Sequence, residues 1–278
     1  FSRASLSLSD FMLDLQREIE IEKSFNIGTI NEKQIFKGLN LTINDGDFIT
    51  VIGGNGAGKS TMLNLIAGVH KADGGRIILD GEDLTYKNET QRAKYIGRVF
   101  QDPMMGTAPT MMIEENLAMA YRRTKRRTLA WGISQKEREM YKKSLAQLGL
   151  GLEDRMKTKV GLLSGGQRQA VTLLMATLQK PKLLLLDEHT AALDPATSAK
   201  VLQLSDKIIH EHNLTALMVT HNMQDAITYG NRLVMMDKGR LILDISGEEK
   251  KNLTIEDLLH KFEEVSGSKF ASDSVILG

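Results

Sequence analysis

Polar and apolar residues alternate from Arg17 to Lys23 and again from Leu39 to Ile43, and Phe48 to Ile52 is a short apolar run that leads into glycines. A period of two predicts strands with one buried face, and a short apolar run suits a strand buried on both. From Lys59 the spacing changes. Met62, Leu63, Leu65, Ile66 and Val69, with Gly68 as a stop, predict a buried helix. Further strands are predicted at Arg76 to Leu79, Tyr95 to Phe100, Leu183 to Asp187, Ala216 to Thr220, Leu233 to Met236 and Leu241 to Asp244, with helices between most of the later ones. Strands alternating with helices make an α/β fold. Between Met111 and Gly161 the spacing is helical and rich in charge, which marks an inserted helical subdomain. Asp194-Pro195 places an N-cap residue before a proline, so a helix should start there and run towards His212. Thr254 to Asp257 resembles a capping box with Asp in the place of Glu and opens a last amphipathic helix.

Composition narrows the class. With 278 residues, the chain suits one α/β domain carrying a small insert. We expect an extension over 1–16, a domain over 17–278, and the helical insert at about 102–178. Hydrophobic residues at 41% support a core, and 36 basic against 35 acidic residues argue against a chain that wraps polyanionic nucleic acid. There is no cysteine, so disulfides, zinc-thiolate sites and thiol nucleophiles are excluded. No apolar run approaches the ~18 residues of a membrane span. The basic run Arg122, Arg123, Lys125, Arg126, Arg127 is read as a solvated helix end in preference to a contact for anionic lipid.

The chemistry begins at Gly53-Gly54-Asn55-Gly56-Ala57-Gly58-Lys59-Ser60, followed by Thr61, which fits G-x-x-x-x-G-K-[ST] between a predicted strand and a predicted helix. Glycines let the backbone N–H groups turn inward onto phosphate oxygens, and the helix that follows adds its positive end. Lys59 can reach the β- and γ-phosphates, and the Ser60 hydroxyl can ligate Mg²⁺. A dinucleotide fingerprint is ruled out because Lys59 stands where its third glycine would be. The expected ligand is therefore a nucleoside triphosphate. Leu183 to Leu186 then delivers Asp187 and Glu188 to a strand end. Asp187 there can hold Mg²⁺, and Glu188 can accept a proton from an attacking water as general base.

Leu163-Ser164-Gly165-Gly166-Gln167 lies between these two motifs, and with it the chain resembles the ABC ATPases from about Ile19 to Ile245. The resemblance implies a P-loop core with a β-rich nucleotide-binding subdomain and an inserted α-helical signature subdomain. It also implies that Ser164, Gly165, Gly166 and Gln167 bind the γ-phosphate held by an opposite subunit, so that ATP with Mg²⁺ is closed between two copies. Gln101 matches the residue that senses Mg²⁺ and water near the membrane subunit. Asp194, in Ala192-Leu193-Asp194, matches a loop that crosses the dimer interface, and His221 matches the switch histidine. Phe25 replaces the commoner Tyr that stacks on adenine; stacking needs only the ring.

The residue after Glu188 is His189, where Pro is usual. The string Asp-Glu-His-Thr-Ala-Ala-Leu-Asp-Pro resembles bacterial ATPases of small-solute importers. His189 is expected either to alter the turn or to titrate near neutral pH. The resemblance implies an ATP hydrolase peripheral to the cytoplasmic face of the membrane. Its implied partners are a second ATPase subunit, transmembrane permease subunits and a solute-binding protein, with no direct nucleic-acid partner. A lipid or peptide exporter shares every motif, and a ribosome or nucleic-acid factor built on the same ATPase unit is the remaining alternative.

Overall fold

A computed structural model of the protein describes residues 17–25, 33–123 and 132–266. The expected extension over 1–16 and three members of the basic run, Lys125, Arg126 and Arg127, lie outside the described residues. In chain order the elements are β1 (Arg17–Phe25), β2 (Lys33–Ile43), β3 (Phe48–Gly53), α1 (Lys59–Ala67), β4 (Gly74–Leu79), β5 (Glu82–Asp83), α2 (Glu89–Arg92) and β6 (Ile96–Val99). They continue with α3 (Ile113–Arg122), α4 (Gln135–Ala146), α5 (Gly165–Thr177), β7 (Leu183–Asp187), α6 (Pro195–His212), β8 (Ala216–Val219) and α7 (Met223–Thr228). The last are β9 (Arg232–Asp237), β10 (Arg240–Ser246), α8 (Gly247–Lys251) and α9 (Ile255–Ser266).

The chain divides into two compact units, one formed by the residues up to Arg92 together with those from Thr215 onwards, the other by Ala93–Leu214. In the first unit the alternation along β1 is observed as predicted: Ile19 and Ile21 are buried while Glu18, Glu20 and Glu22 are exposed. β1 pairs antiparallel with β2 on one side and β4 on the other. β3 is buried along its whole length and pairs in parallel with both β8 and β9, and β10 returns antiparallel to β9. A strand buried on both faces needs the continuous apolar run that this segment carries.

Helix α1 ends at Gly68 in the left-handed conformation. Its last carbonyls are then taken by Arg92, whose Nη1 donates to Leu65 and Ile66 (2.6 and 2.8 Å), Nη2 to Thr85 (3.0 Å) and Nε to Lys87 (2.7 Å). Burial pushes the Arg92 guanidinium down to about 10, which still leaves it charged at neutral pH. A cation at a helix C-terminus also opposes the negative end of the helix dipole.

The stretch after Ile245, for which the sequence offers no functional motif, is a packing element. Leu253, Leu258 and Phe262 are buried with Ile52, Leu233, Met235 and Ile245 in one cluster, and each such side chain contributes about 2 kcal/mol by leaving water. The predicted capping box forms: Thr254 Oγ1 accepts from the Asp257 N–H at 3.1 Å, and the Asp257 carboxylate accepts from the Thr254 N–H at 3.0 Å. Lys250, also buried, donates to the carbonyls of Tyr229 and Gly230 just beyond α7.

In the second unit β6 and β7 pair in parallel. Helix α5 is buried along most of its length, and it approaches α6 so closely that a Cβ on Gly166 would lie 2.2 Å from Thr197 Cγ2. Asn116, fully buried on α3, accepts from the Ala108 N–H (2.7 Å) and donates to the carbonyls of Ala108 and Met112 (3.1 and 3.0 Å). That side chain orders the loop leading into α3.

Candidate active site

The first unit carries the phosphate loop, Phe25 and His221, and the second carries Gln101, the Ser164–Gln167 signature, Asp187, Glu188 and Asp194. In the first unit Val51 of β3 stands opposite Val219 of β8 in a parallel pair. The glycine loop and His221 therefore leave the C-terminal ends of neighbouring strands, where open α/β sheets place their ligands. Parallel pairing of β6 with β7 sets Val99 opposite Leu186, so Gln101 and Glu188 emerge from neighbouring strand ends in the second unit in the same way.

The phosphate loop is shaped by what a side chain would strike. At Gly58 φ is +105°, and a Cβ would stand 2.8 Å from the Phe36 ring. Only glycine fits there without strain. Gly58 is also the N-cap of α1, and no side chain caps that helix. The N–H groups of Lys59, Ser60 and Thr61 lie in this first turn, at the positive end of the helix. Lys59, 5% exposed, donates from Nζ to the carbonyls of Gly53 (2.7 Å) and Gly54 (3.3 Å), which folds its ammonium over the loop. Asn55, Gly56 and Ser60 are exposed, and Ala57 is buried. Phe25, half-buried at the end of β1, meets His70 edge-on at 5.5 Å between ring centroids, with Lys23 Nζ 5.2 Å from its own centroid.

The signature opens α5. Ser164 Oγ accepts from the Gln167 N–H, and Gln167 Oε1 accepts from the Ser164 N–H, both at 3.2 Å. Because Ser164 uses its oxygen as the cap acceptor, its O–H proton remains to be donated elsewhere. Two residues beyond the motif support it, and neither was legible in the sequence. Arg168 donates back to the carbonyls of Gly161 and Leu163 (3.1 and 3.0 Å), and the buried Gln169 donates to the Phe100 carbonyl (3.1 Å), tying the signature helix to the strand end before Gln101.

Asp187 closes β7, and its Oδ2 accepts from Arg98 Nη2 at 3.0 Å. Glu188 follows with φ +46°, a left-handed backbone unusual for a residue with a side chain. Asp194 caps α6 by accepting from the Thr197 N–H at 3.0 Å, and hydrogen bonds from Thr197 hold its carboxyl below the usual range. The expectation that His189 titrates near neutrality is corrected. Its ring is 2% exposed, and burial pushes it down to about 4, so it is neutral at pH 7. His189 Nε2 lies 2.9 Å from Ser205 Oγ, whose own proton goes to the Val201 carbonyl (2.9 Å). The ring nitrogen is then the donor. The imidazole anchors the turn after Glu188 to α6.

Ser60 carries a hydroxyl, Gln101 a side-chain amide and Asp187 a carboxylate, and oxygen donors of these kinds suit a hard divalent cation. Among the described residues no group of three or more His, Asp or Glu side chains is gathered as a metal site.

The ABC transporter family profile matches residues 36–191. The tyrosine transport ATP-binding protein of Clostridioides difficile (strain R20291) is 46% identical over 87% of this chain and 96% of its own length. The chain belongs to the ABC transporter family. It is an ATP-binding, ATP-hydrolysing subunit. The spermidine/putrescine import ATP-binding protein PotA of Aggregatibacter actinomycetemcomitans is 38% identical over 82% of this chain, which spans 57% of PotA. Among solved structures, a dimeric ATP-binding cassette in a post-hydrolysis state bound to ADP and Pi is similar with a TM-score of 0.70 and 28% identity, over 83% of this chain and 98% of that one. An ABC transporter cassette in its ADP conformation gives 0.73 and 28%, over 91% and 97%. These likenesses agree with the expected P-loop α/β class. Among the described residues no helix is long and apolar enough to cross a membrane.

Proposed function

We propose that this ABC ATPase powers a bacterial importer of a small solute, with an amino acid as the favoured class. The observation that carries this reading is the 46% identity to a tyrosine transport ATP-binding protein across 96% of that protein's length. The polyamine-import relatives support import in general, at lower identity and over a shorter share of their own chains.

In this reading ATP is the substrate, and the first-turn N–H groups of α1 and the Lys59 ammonium bind its β- and γ-phosphates, while Phe25 stacks on the base. Ser60, Gln101 and Asp187 would hold Mg²⁺, which neutralises charge on the transferring phosphoryl group. Glu188 accepts a proton from the attacking water, and His221 orients that water or Glu188. The left-handed backbone at Glu188 and the His189–Ser205 anchor hold that carboxylate on a fixed turn. Ser164, Gly165, Gly166 and Gln167 of one copy close on the γ-phosphate held by a second copy, and Asp194 helps shape the opposite site. Closure moves separate permease subunits fed by a solute-binding protein. The helical insert at about 102–178 is the face that meets them, and the chain works at the cytoplasmic side of the membrane.

Uptake of labelled tyrosine, of other amino acids and of putrescine by cells carrying wild type or Glu188→Gln tests this. Tyrosine or a related amino acid entering only with the wild type supports the reading. Loss of putrescine uptake alone would move the substrate to polyamines, and loss of export with intact uptake would overturn import.

A further inference from the structure

Asp187 reaches the end of β7 already engaged. Arg98 on neighbouring β6, in register with Leu185, donates from Nη2 to Asp187 Oδ2 at 3.0 Å, and the two side chains are only 12% and 14% exposed. The guanidinium carbon also stands 4.6 Å from the centroid of the Phe100 ring. Arg98 is therefore held at the strand end by stacking on its own strand's exit as well as by the acid. Leu183 to Leu186, Ile96 and Val99 are buried around the two strands. In such surroundings water weakens the attraction of opposite charges much less than at an open surface.

An acid that receives a divalent cation is most effective when its charge is undivided. Here one carboxylate oxygen is committed to a guanidinium, and the positive charge of Arg98 sits within a few ångströms of wherever a cation on the other oxygen would lie. We propose that Arg98 is the resident counter-ion of Asp187, and that it sets the divalent-cation affinity of this ATPase lower than an unpaired acid would give. The cation meets a nearly neutral pair in place of a bare carboxylate, and the guanidinium repels it. Before the cation arrives, the same pair keeps a shielded carboxylate compensated and in one rotamer. Arg98 is thus a positioning residue that acts through Asp187. The inference rests on the reading of Asp187 as the acid that holds Mg²⁺.

The test uses Mn²⁺ as the probe, titrated against the full chain loaded with ADP and followed by the loss of the free-ion EPR signal. Wild type, Arg98→Met, Arg98→Lys and Asp187→Asn are compared, with ADP affinity in EDTA measured alongside. Arg98→Met is expected to bind Mn²⁺ about fivefold or more tightly than wild type, as removal of a nearby positive charge requires. Arg98→Lys, which keeps the charge, should stay within about twofold of wild type by the same electrostatic argument, and ADP affinity in EDTA should be alike in all. A merely structural role would shift the EDTA value and the melting temperature without tightening Mn²⁺. Arg98→Gln carries the same expectation as Arg98→Met if the latter does not fold. Mn²⁺ binding no tighter in the neutral variants, with Asp187→Asn still weakening it, overturns the counter-ion proposal alone. Mn²⁺ binding unaffected by Asp187→Asn overturns the reading of Asp187 and the proposal with it.

Discussion

Helix α1 opens at Gly58 with no side chain closing its first turn, whereas α5 opens at Ser164, where Ser164 and Gln167 cap each other. Both starts bear glycine, and both are expected to face phosphate oxygens. Their energetics differ. The first turn of α1 has no side-chain cap, so in the proposed mechanism its positive end is open to an anion, whose binding would stabilise the fold by mass action. The first turn of α5 meets part of its own needs, through the Ser164 and Gln167 N–H groups, and Arg168 and Gln169 brace it from behind. It is a preformed surface whose shape does not wait for a ligand. In the proposed mechanism one terminus binds and the other closes.

Replacing Lys59 by Ala breaks the comparison most severely. The ammonium that lies over the uncapped turn is lost, and ATP hydrolysis should fall at least about 100-fold, as loss of one preorganised donor does. Circular dichroism should remain native, because the Lys59 ammonium donates to loop carbonyls at Gly53 and Gly54. At α5 the corresponding weak point is space. Gly166→Ala puts a methyl group on Thr197 and should cost up to about 3 kcal/mol in urea unfolding, the range of overpacked cores. Adding Thr197→Ser, which removes the Cγ2 methyl, should recover most of that; no recovery would mean that the loss has another origin.

Acid should also separate the two. His189 has a folded value near 4 against about 6.5 unfolded, so the unfolded chain binds the extra proton and stability declines as pH drops from about 6.5 towards 4. Between pH 7.5 and 5 this amounts to about 2 kcal/mol. His189→Gln should show a correspondingly flatter pH dependence of its urea midpoint, and an unchanged slope would show that other groups carry the acid sensitivity. Hydrogen exchange at pH 5 should report loosening first in the turn from Glu188 to Asp194, and little in the Gly53–Ser60 loop, where no side chain titrates in this range. The smallest effect is expected from Ser164→Ala, about 1 kcal/mol for loss of an N-cap. It should lower cooperative ATP-dependent dimerisation, read by light scattering, more than it lowers ATP binding by isolated subunits.

The phosphate loop, the acidic strand end and the signature were legible in the sequence because each is contiguous, and a strand or helix boundary on either side tells where its backbone turns. The strands were legible for a similar local reason, since alternation in β1 and apolar runs in β3 and β7 follow directly from burial on one face or two. What escaped depends on partners far apart in the chain. Nothing local pairs Arg98 with Asp187, Gln169 with Phe100, or His189 with Ser205. His189 shows the cost: an ordinary histidine titrates near neutrality, and only its burial against α6 reveals that this one does not. The short elements β5, α2 and α8 were missed because two to five residues are too few to show a period.

Arg92 has a mechanical consequence. Its bonds to Leu65, Ile66, Thr85 and Lys87 rivet the far end of α1 to the loop after β5. A rod riveted at one end cannot slide when its other end is pulled or released. In the proposed mechanism any recoil after phosphate leaves would fall on the bend between Gly53 and Gly58, with α1 acting as a stationary strut.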